Sequence, residues 1–501
     1  MRLKVPQLKM ILEKRIHNSN QNFSLILFFL ISMSLPTAFS APTILRVQDV
    51  ISATQTQNLN FNDINYNFQR AELLQWQTEA NYDTSLFAKI QNEDSRLEVL
   101  GVPTNLRDQT QSWVIGANRK WSSGSTLGLD YSYIHRDSDL SAAALALSTN
   151  PIQYYHLTTL SFKQDLLNNS FGYRDRRILQ SAQFQLKRAQ LERDEAVEEL
   201  TLQTIKLFLD TYFSQENLKQ SLAARDKYIL LVKSIQQKNK MGFDDRSELI
   251  KTKAELQNQE RNVKSASLTY LNLLNKLYTT LNLPRPGEVE LEIPESVITA
   301  PASTDSSPSV DSLRKSQSLE LLVKSTEAER EASINNESAG LNFFAQAAYS
   351  GLDSNNSSAV SEMNQHSHPK YTMGLEFTMK WGGSAQKAES LSKKIVHEEA
   401  LNNQRKVQND LQETIERTER NLKSKYIIAV NAQETVKIWE EAMKSQELNH
   451  RFGRITTSEL ILDYTNYFRS KSSLSGALAD YQMSLYEYQA ARDELIHPSN
   501  K

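Results

Sequence analysis

Few side chains in this sequence stand where chemistry could be done. His366-x-His368 has the spacing at which two imidazoles on an extended chain could share a metal ion. No cysteine or carboxylate cluster stands beside the pair, so it reads as part of a solvated polar loop. Asp245-x-x-Glu248 and Thr456-x-x-Glu459 place a carboxylate three residues after a capping side chain, the pattern that closes a helix N-terminus. The chain has no Cys, which removes thiol nucleophiles, disulfides and cysteine-ligated metals. No Ser/His/Asp set or paired carboxylates stand out, and the remaining acids are spaced as on solvated helix faces. These residues assign no catalytic, cofactor-binding or metal-ligating role, and the chain does not read as an enzyme.

The two capping boxes belong to a longer match. Gly242 and Gly453 are each followed, five residues later, by Ser-Glu-Leu-Ile, at an offset of 211 residues. Beyond them, positions at seven-residue steps are Leu249, Leu256, Val263, Tyr270 and Leu277 in one copy, and Leu460, Tyr467, Leu474, Tyr481 and Tyr488 in the other. A period of seven kept this long predicts supercoiled helices packed along one seam. Lys253, Glu260, Asp463 and Lys471 interrupt the apolar pattern, so one side of each helix is solvated. The segments from Arg177 to Lys240 and from Gln386 to Phe452 contain no Gly or Pro and predict the preceding long helices. Each Gly is then the tip of an antiparallel helical hairpin, where a residue tolerating φ > 0 is needed. Only 14 Gly and 12 Pro in 501 residues agree with a chain dominated by long helices.

The period changes to two before each long helix. Tyr371, Met373, Leu375, Phe377, Met379 and Trp381 alternate with polar residues or Gly over about ten positions, the length of a transmembrane β-strand. Leu341–Tyr349 alternates likewise, Leu160-Ser-Phe162 stands at the corresponding place in the first half, and 112–135 reads as a hairpin turning at Ser122–Ser125. Ser354–His368 reads as a mobile polar loop. Counting two strands per half gives four per chain, with the 112–135 hairpin in excess. Four strands cannot close a barrel and open edges are not tolerated in lipid, so three copies supplying twelve strands are expected to share one.

The expected division is a signal peptide over 1–40, a first helix-strand-helix-hinge-helix repeat over 41–283, a Pro- and Ser-rich linker over 284–310, a second repeat over 311–495 and a short tail over 496–501. Basic residues from Arg2 to Arg15, the apolar run Phe23–Leu35 and Ala38-Phe39-Ser40 carry the signal-peptide reading. That run is too short to span a bilayer as a helix. The near-neutral balance, −2 overall, offers no basic surface for nucleic acid.

With the duplicated hinge and the strand-to-helix passages "LSFKQDLLNNSFGYRD" and "LEFTMKWGGSAQKAES", the chain resembles the TolC-like outer-membrane efflux proteins from about residue 45 to 495. It departs from their strand-to-helix junction at Asp165 and Lys380, where that family has Pro; Gly172 and Gly382-Gly383 are expected to make the bend instead. The resemblance implies a mainly α fold with β, in which long antiparallel coiled-coil helices form an α-barrel below a β-barrel shared by a homotrimer. It implies residence in the outer membrane with a helical tunnel across the periplasm, no cofactor, and partners in a periplasmic adaptor and an inner-membrane transporter, in an efflux or type I secretion system. The adaptor would meet Met241, Gly242 and Phe243 at one tip and Phe452, Gly453 and Arg454 at the other. The family's carboxylate gate falls on Glu459; its second position is Leu462, with Asp463 adjacent, and Glu248 is the matching acid of the first hinge. The alternatives are a periplasmic tethering coiled coil whose strands never enter a membrane, and a surface receptor using 112–135 and 351–370 as ligand loops.

Overall fold

The computed structural model describes residues 43–97, 105–140, 142, 150–240, 246–284, 289–293, 298, 300–301 and 308–496. The signal-peptide segment lies outside them, as do Met241–Asp245.

In chain order the elements are β1 (Thr43–Arg46), α1 (Val47–Thr56), α2 (Leu59–Glu79), β2 (Ser85–Ser95), β3 (Asn105–Lys120), β4 (Ser125–Leu140), β5 (Ile152–Asp165), α3 (Tyr173–Lys240) and α4 (Arg246–Thr280), then β6 (Val289–Glu292), α5 (Arg314–Asn336), β7 (Gly340–Asp353), α6 (Asn356–Asn364), β8 (His368–Thr378), α7 (Ser384–Arg451) and α8 (Thr457–Ala490). Helices α3 and α7 are 68 residues each, about 100 Å at 1.5 Å per residue. The starts and ends of α3 and α7, and the starts of α4 and α8, are related by the same 211-residue offset as the hinge motif.

The seven-residue series lands on the packed seams: Leu277 and Leu460 are buried, as are Tyr467 and Tyr481. Near the hinges, Tyr228, Leu231 and Ile235 of α3 pack with Met443 of α7 and Leu460, Tyr464 and Tyr467 of α8. At the opposite end of α4, Ile205, Phe208 and Leu209 of α3 pack with Leu277 and Tyr278 of α4 and with β1, α1 and β6. There β1 and β6 pair in parallel, so the segment read only as a linker supplies a strand to a small sheet.

Six strands form one antiparallel sheet in the order β2-β3-β4-β5-β7-β8. Among the described residues the sheet thus holds the four strands of the two halves together with the 112–135 hairpin. The 112–135 hairpin is the centre of two 16-residue strands, and β2, which follows α2, pairs with β3 along all of its length. Pairing registers put Leu86, Ile90, Ile115, Leu129, Leu160 and Met373 on one face. Lys89, Asp130, Lys163 and Glu376 lie on the other. Alternation makes one face mainly apolar and the other mainly polar, with Phe87, Val114 and Phe344 on the polar side.

The segment expected to be a loop between β7 and β8 contains α6. Nine residues hold a helix here because Ala359 is fully buried on the sheet, and Asn356 Oδ1 meets His156 Nε2 at 2.8 Å. Polarity alone, with Asn and Ser abundant, gave no period to announce it.

Candidate functional site

Two places combine exposed ends with buried polar contacts: the hinge tips and the strand-to-helix junctions. At the second hinge, α7 ends in a Schellman motif. The Arg454 N–H donates to Asn449 O (2.9 Å) and the Gly453 N–H to His450 O (3.1 Å), with Gly453 at φ +69°. Phe452 is 70% exposed and the Arg454 guanidinium lies 5.7 Å from its ring centre. Helix α8 restarts with the expected capping box: Glu459 N–H donates to Thr456 Oγ1, and the Glu459 carboxylate accepts from Thr456 N–H at 2.8 Å. Of the first tip, Met241, Gly242, Phe243 and Asp245 lie outside the described residues.

The structure joins the two hinges through contacts the sequence did not announce. Thr457 donates to Glu248 Oε2 (2.7 Å) and so accepts from His450 Nε2 (3.1 Å), with Thr457 and His450 both buried. Two turns further along α8, Tyr464 donates to Glu447 Oε1 (2.8 Å), which also receives Lys227 Nζ (2.8 Å). Burial, then the Glu447 carboxylate, pushes the Tyr464 hydroxyl well above its usual range. These polar residues interrupt the apolar period and look like solvated positions in sequence; only the four-helix packing makes them partners. Of the acids expected at a gate, Glu459 is exposed, Asp463 is half-buried one turn further along α8, and Glu248 faces Thr457 rather than standing beside them. Burial, then repulsion by Glu459, pushes the Asp463 carboxyl up.

At the first junction, between β5 and α3, the chain turns through Asn169 (φ +62°), Phe171 (φ +44°) and Gly172 (φ +77°). The Asp175 carboxylate is buried and held by Lys120 Nζ (2.6 Å) and Asn169 Nδ2 (2.8 Å). Asn169 Oδ1 also accepts from Asp175 N–H, and its own N–H donates to Asn335 on α5. Lys120 ends β3, so the extra hairpin is tied into the start of the long helix. The Tyr82 hydroxyl is pushed up to about 12 by burial and by the Asp175 charge. At the second junction Gly382 (φ +86°) and Gly383 (φ +56°) turn the chain, as expected.

On the apolar face, Trp113 at the middle of β3 packs on Tyr131 and Tyr133 of β4, its ring centre 5.4 Å from each, while Trp381, 97% exposed, follows β8 at the helical end. Leu129, Leu160 and Met373 lie between. No helix among the described residues is long and apolar enough to cross a membrane.

His366 stacks edge-on against Tyr349 and His368 Nε2 stands 4.0 Å from Glu362, so the two imidazoles have separate partners. Among the described residues, Glu195, Glu198 and Asp493 are the one acid cluster close enough to share an ion. The Arg314 guanidinium meets Glu198 and Asp493 there, tying α5 and the chain end to α3. Burial, then the Asp493 charge, pushes the Glu195 carboxyl up.

No family model matches the chain, and no curated protein matches it in sequence. Solved structures do match. MtrE of Neisseria gonorrhoeae, an outer membrane channel in its open state, superposes with a TM-score of 0.66 over 91% of each chain at 11% identity. VceC, an outer membrane protein of Vibrio cholerae, gives 0.65 over 90% of this chain and 97% of its own, at 10% identity. CmeC, an outer membrane channel of Campylobacter jejuni, gives 0.63 over 91% and 87%, at 11% identity. The fold is that of the TolC-like outer-membrane channels. The likeness covers about nine-tenths of the chain, sheet and helices together.

Proposed function

We propose that the chain is an outer-membrane export channel, assembled from three copies, that conducts solutes from the periplasm without chemistry of its own. The observation that carries this reading is a single sheet, apolar on one face and polar on the other, that continues at its junctions into long half-solvated helices. Such a sheet cannot end in lipid with open edges, and it gives a water-filled interior only when closed. The helices then form the tube, and the tips at Phe452–Arg454 and Met241–Phe243 are where a periplasmic adaptor coupled to an inner-membrane transporter would dock. Glu459 and Asp463 line the tube entrance in this reading. Lateral repulsion among copies of these acids opposes closure.

Native mass spectrometry of outer-membrane extracts in mild detergent, followed by planar-bilayer conductance, tests the reading. A detergent-dependent trimer that conducts is expected, with Asp463→Asn altering the acid limb of the conductance-pH profile. A soluble monomer or dimer without conductance would leave the tethering coiled coil instead.

A further inference from the structure

The two lateral borders of the protomer are alike in a way that specifies their partner. Strand β2 is exposed along all but its last residue and β8 over most of its length; both are 11 residues long, and each is hydrogen-bonded on one side only. The helices follow the same order as the strands. Helix α2 packs on α3, α3 on α5 and α5 on α7, so α2 stands at the β2 border and α7 at the β8 border. Helix α2 buries no side chain, yet Tyr66, Leu73 and Trp76, spaced by seven and three, are each more than half exposed. On the opposite border, Leu391 and Ile395 of α7 are exposed at a spacing of four. Each border thus carries a row of unpaired backbone groups that runs into an apolar helical stripe. In lipid the unpaired row must be covered, and in water the stripe should be.

We propose that these borders are the two sides of one seam, β2 of each copy pairing antiparallel with β8 of the next, so that six strands from each of three copies close an eighteen-stranded barrel. The inference rests on the three-copy channel reading and adds to it the pairing partner and the strand number. Strand directions allow it, because β2 leaves the helical end and β8 returns to it. Face parity restricts the register, since a one-residue slip would turn the apolar side chains of one strand into the polar interior. With the strand ends level, Ser85 lies beside Thr378, Ile90 beside Met373 and Glu93 beside Lys370. That register sets Leu86 beside Phe377 and Ile90 beside Met373 outside, and opposite charges together inside. A barrel of eighteen strands has a backbone diameter of about 35 Å, against about 24 Å for twelve, from a strand spacing of ~4.7 Å and a tilt of ~40°.

Because the chain has no cysteine, the seam can be tested by introduced pairs. Ile90→Cys combined with Met373→Cys is expected to give an oxidation-dependent ladder up to trimer on denaturing gels, while each single variant stays monomeric. Pairing Ile90→Cys with Tyr371→Cys or Leu375→Cys covers slips of two residues in either direction. Native mass spectrometry of the same samples separates the two levels of inference. A trimer that none of the three pairs cross-links overturns the seam, whereas absence of a trimer overturns the channel reading beneath it. Electron microscopy of the detergent-extracted protein reads the strand number: a wall near 24 Å rather than 35 Å would show that β3 and β4 lie outside the closed barrel.

Discussion

The two strand-to-helix junctions make the same backbone demand in opposite surroundings. Gly172 and Gly383, 211 residues apart, each immediately precede a 68-residue helix and each has positive φ. A Cβ on Gly172 would overlap the backbone of the β3–β4 turn at Ser122, whereas a Cβ on Gly383 meets only Lys380 O, at 4.0 Å. Beyond the first glycine stands the buried Lys120–Asp175–Asn169 set; near the second, the Trp381 side chain is open to its surroundings. The first junction is fixed by its neighbours and the second by its own backbone alone. The extra hairpin makes the difference, since its turn is the object packed against Gly172.

Substitutions can break or sharpen this contrast. Gly172→Ala is expected to have the largest effect, about 3 kcal/mol or more, because strain at positive φ adds to overlap with backbone that cannot move aside. Its readout is the thermal midpoint of detergent-extracted protein, and a loss no greater than that of Gly383→Ala would erase the contrast. Lys120→Met comes next, at about 2 kcal/mol, since it leaves a buried carboxylate without its cation. Adding Asp175→Asn should recover part of that loss in a double-mutant cycle. Gly383→Ala is expected to cost about 1 kcal/mol, the backbone penalty alone.

The smallest effect is on titration. Tyr82 should ionise near pH 12 by ultraviolet absorbance, and Asp175→Asn should lower that midpoint by removing a nearby negative charge. Because the folded value lies above the ordinary one, Tyr82's contribution to stability is complete below about pH 10 and is lost as pH rises through 12. A midpoint unmoved in Asp175→Asn would detach Tyr82 from the junction.

The long helices and the second hinge were legible because their signals are periodic or local. Leu277 and Leu460 sit where a seven-residue step puts them, and the Thr456–Glu459 box needs only three residues. Strands β7 and β8 were legible through alternation of apolar and polar residues. Strand β2 was not: its "SLFAKIQNEDS" ends in a polar run, and its place comes from pairing with β3. The contacts that tie the site together were illegible for a different reason. Lys120 and Asp175 are 55 positions apart, Glu248 and Thr457 are 209 apart, and each taken singly looks like a solvated charge or hydroxyl. Burial turned them into partners, and burial is a property of the assembled helices.

The hairpin of β3 and β4 carries a topological lesson of its own. Strands in an antiparallel sheet alternate direction, so a single inserted strand would deliver the chain to the far end of the sheet, away from the start of α3. Two inserted strands leave the chain on its original side. The width of such a sheet can therefore grow in steps of a hairpin per chain while every helix keeps its entry point. In the proposed channel, pore width and the helical part that partners would meet are therefore free to evolve separately.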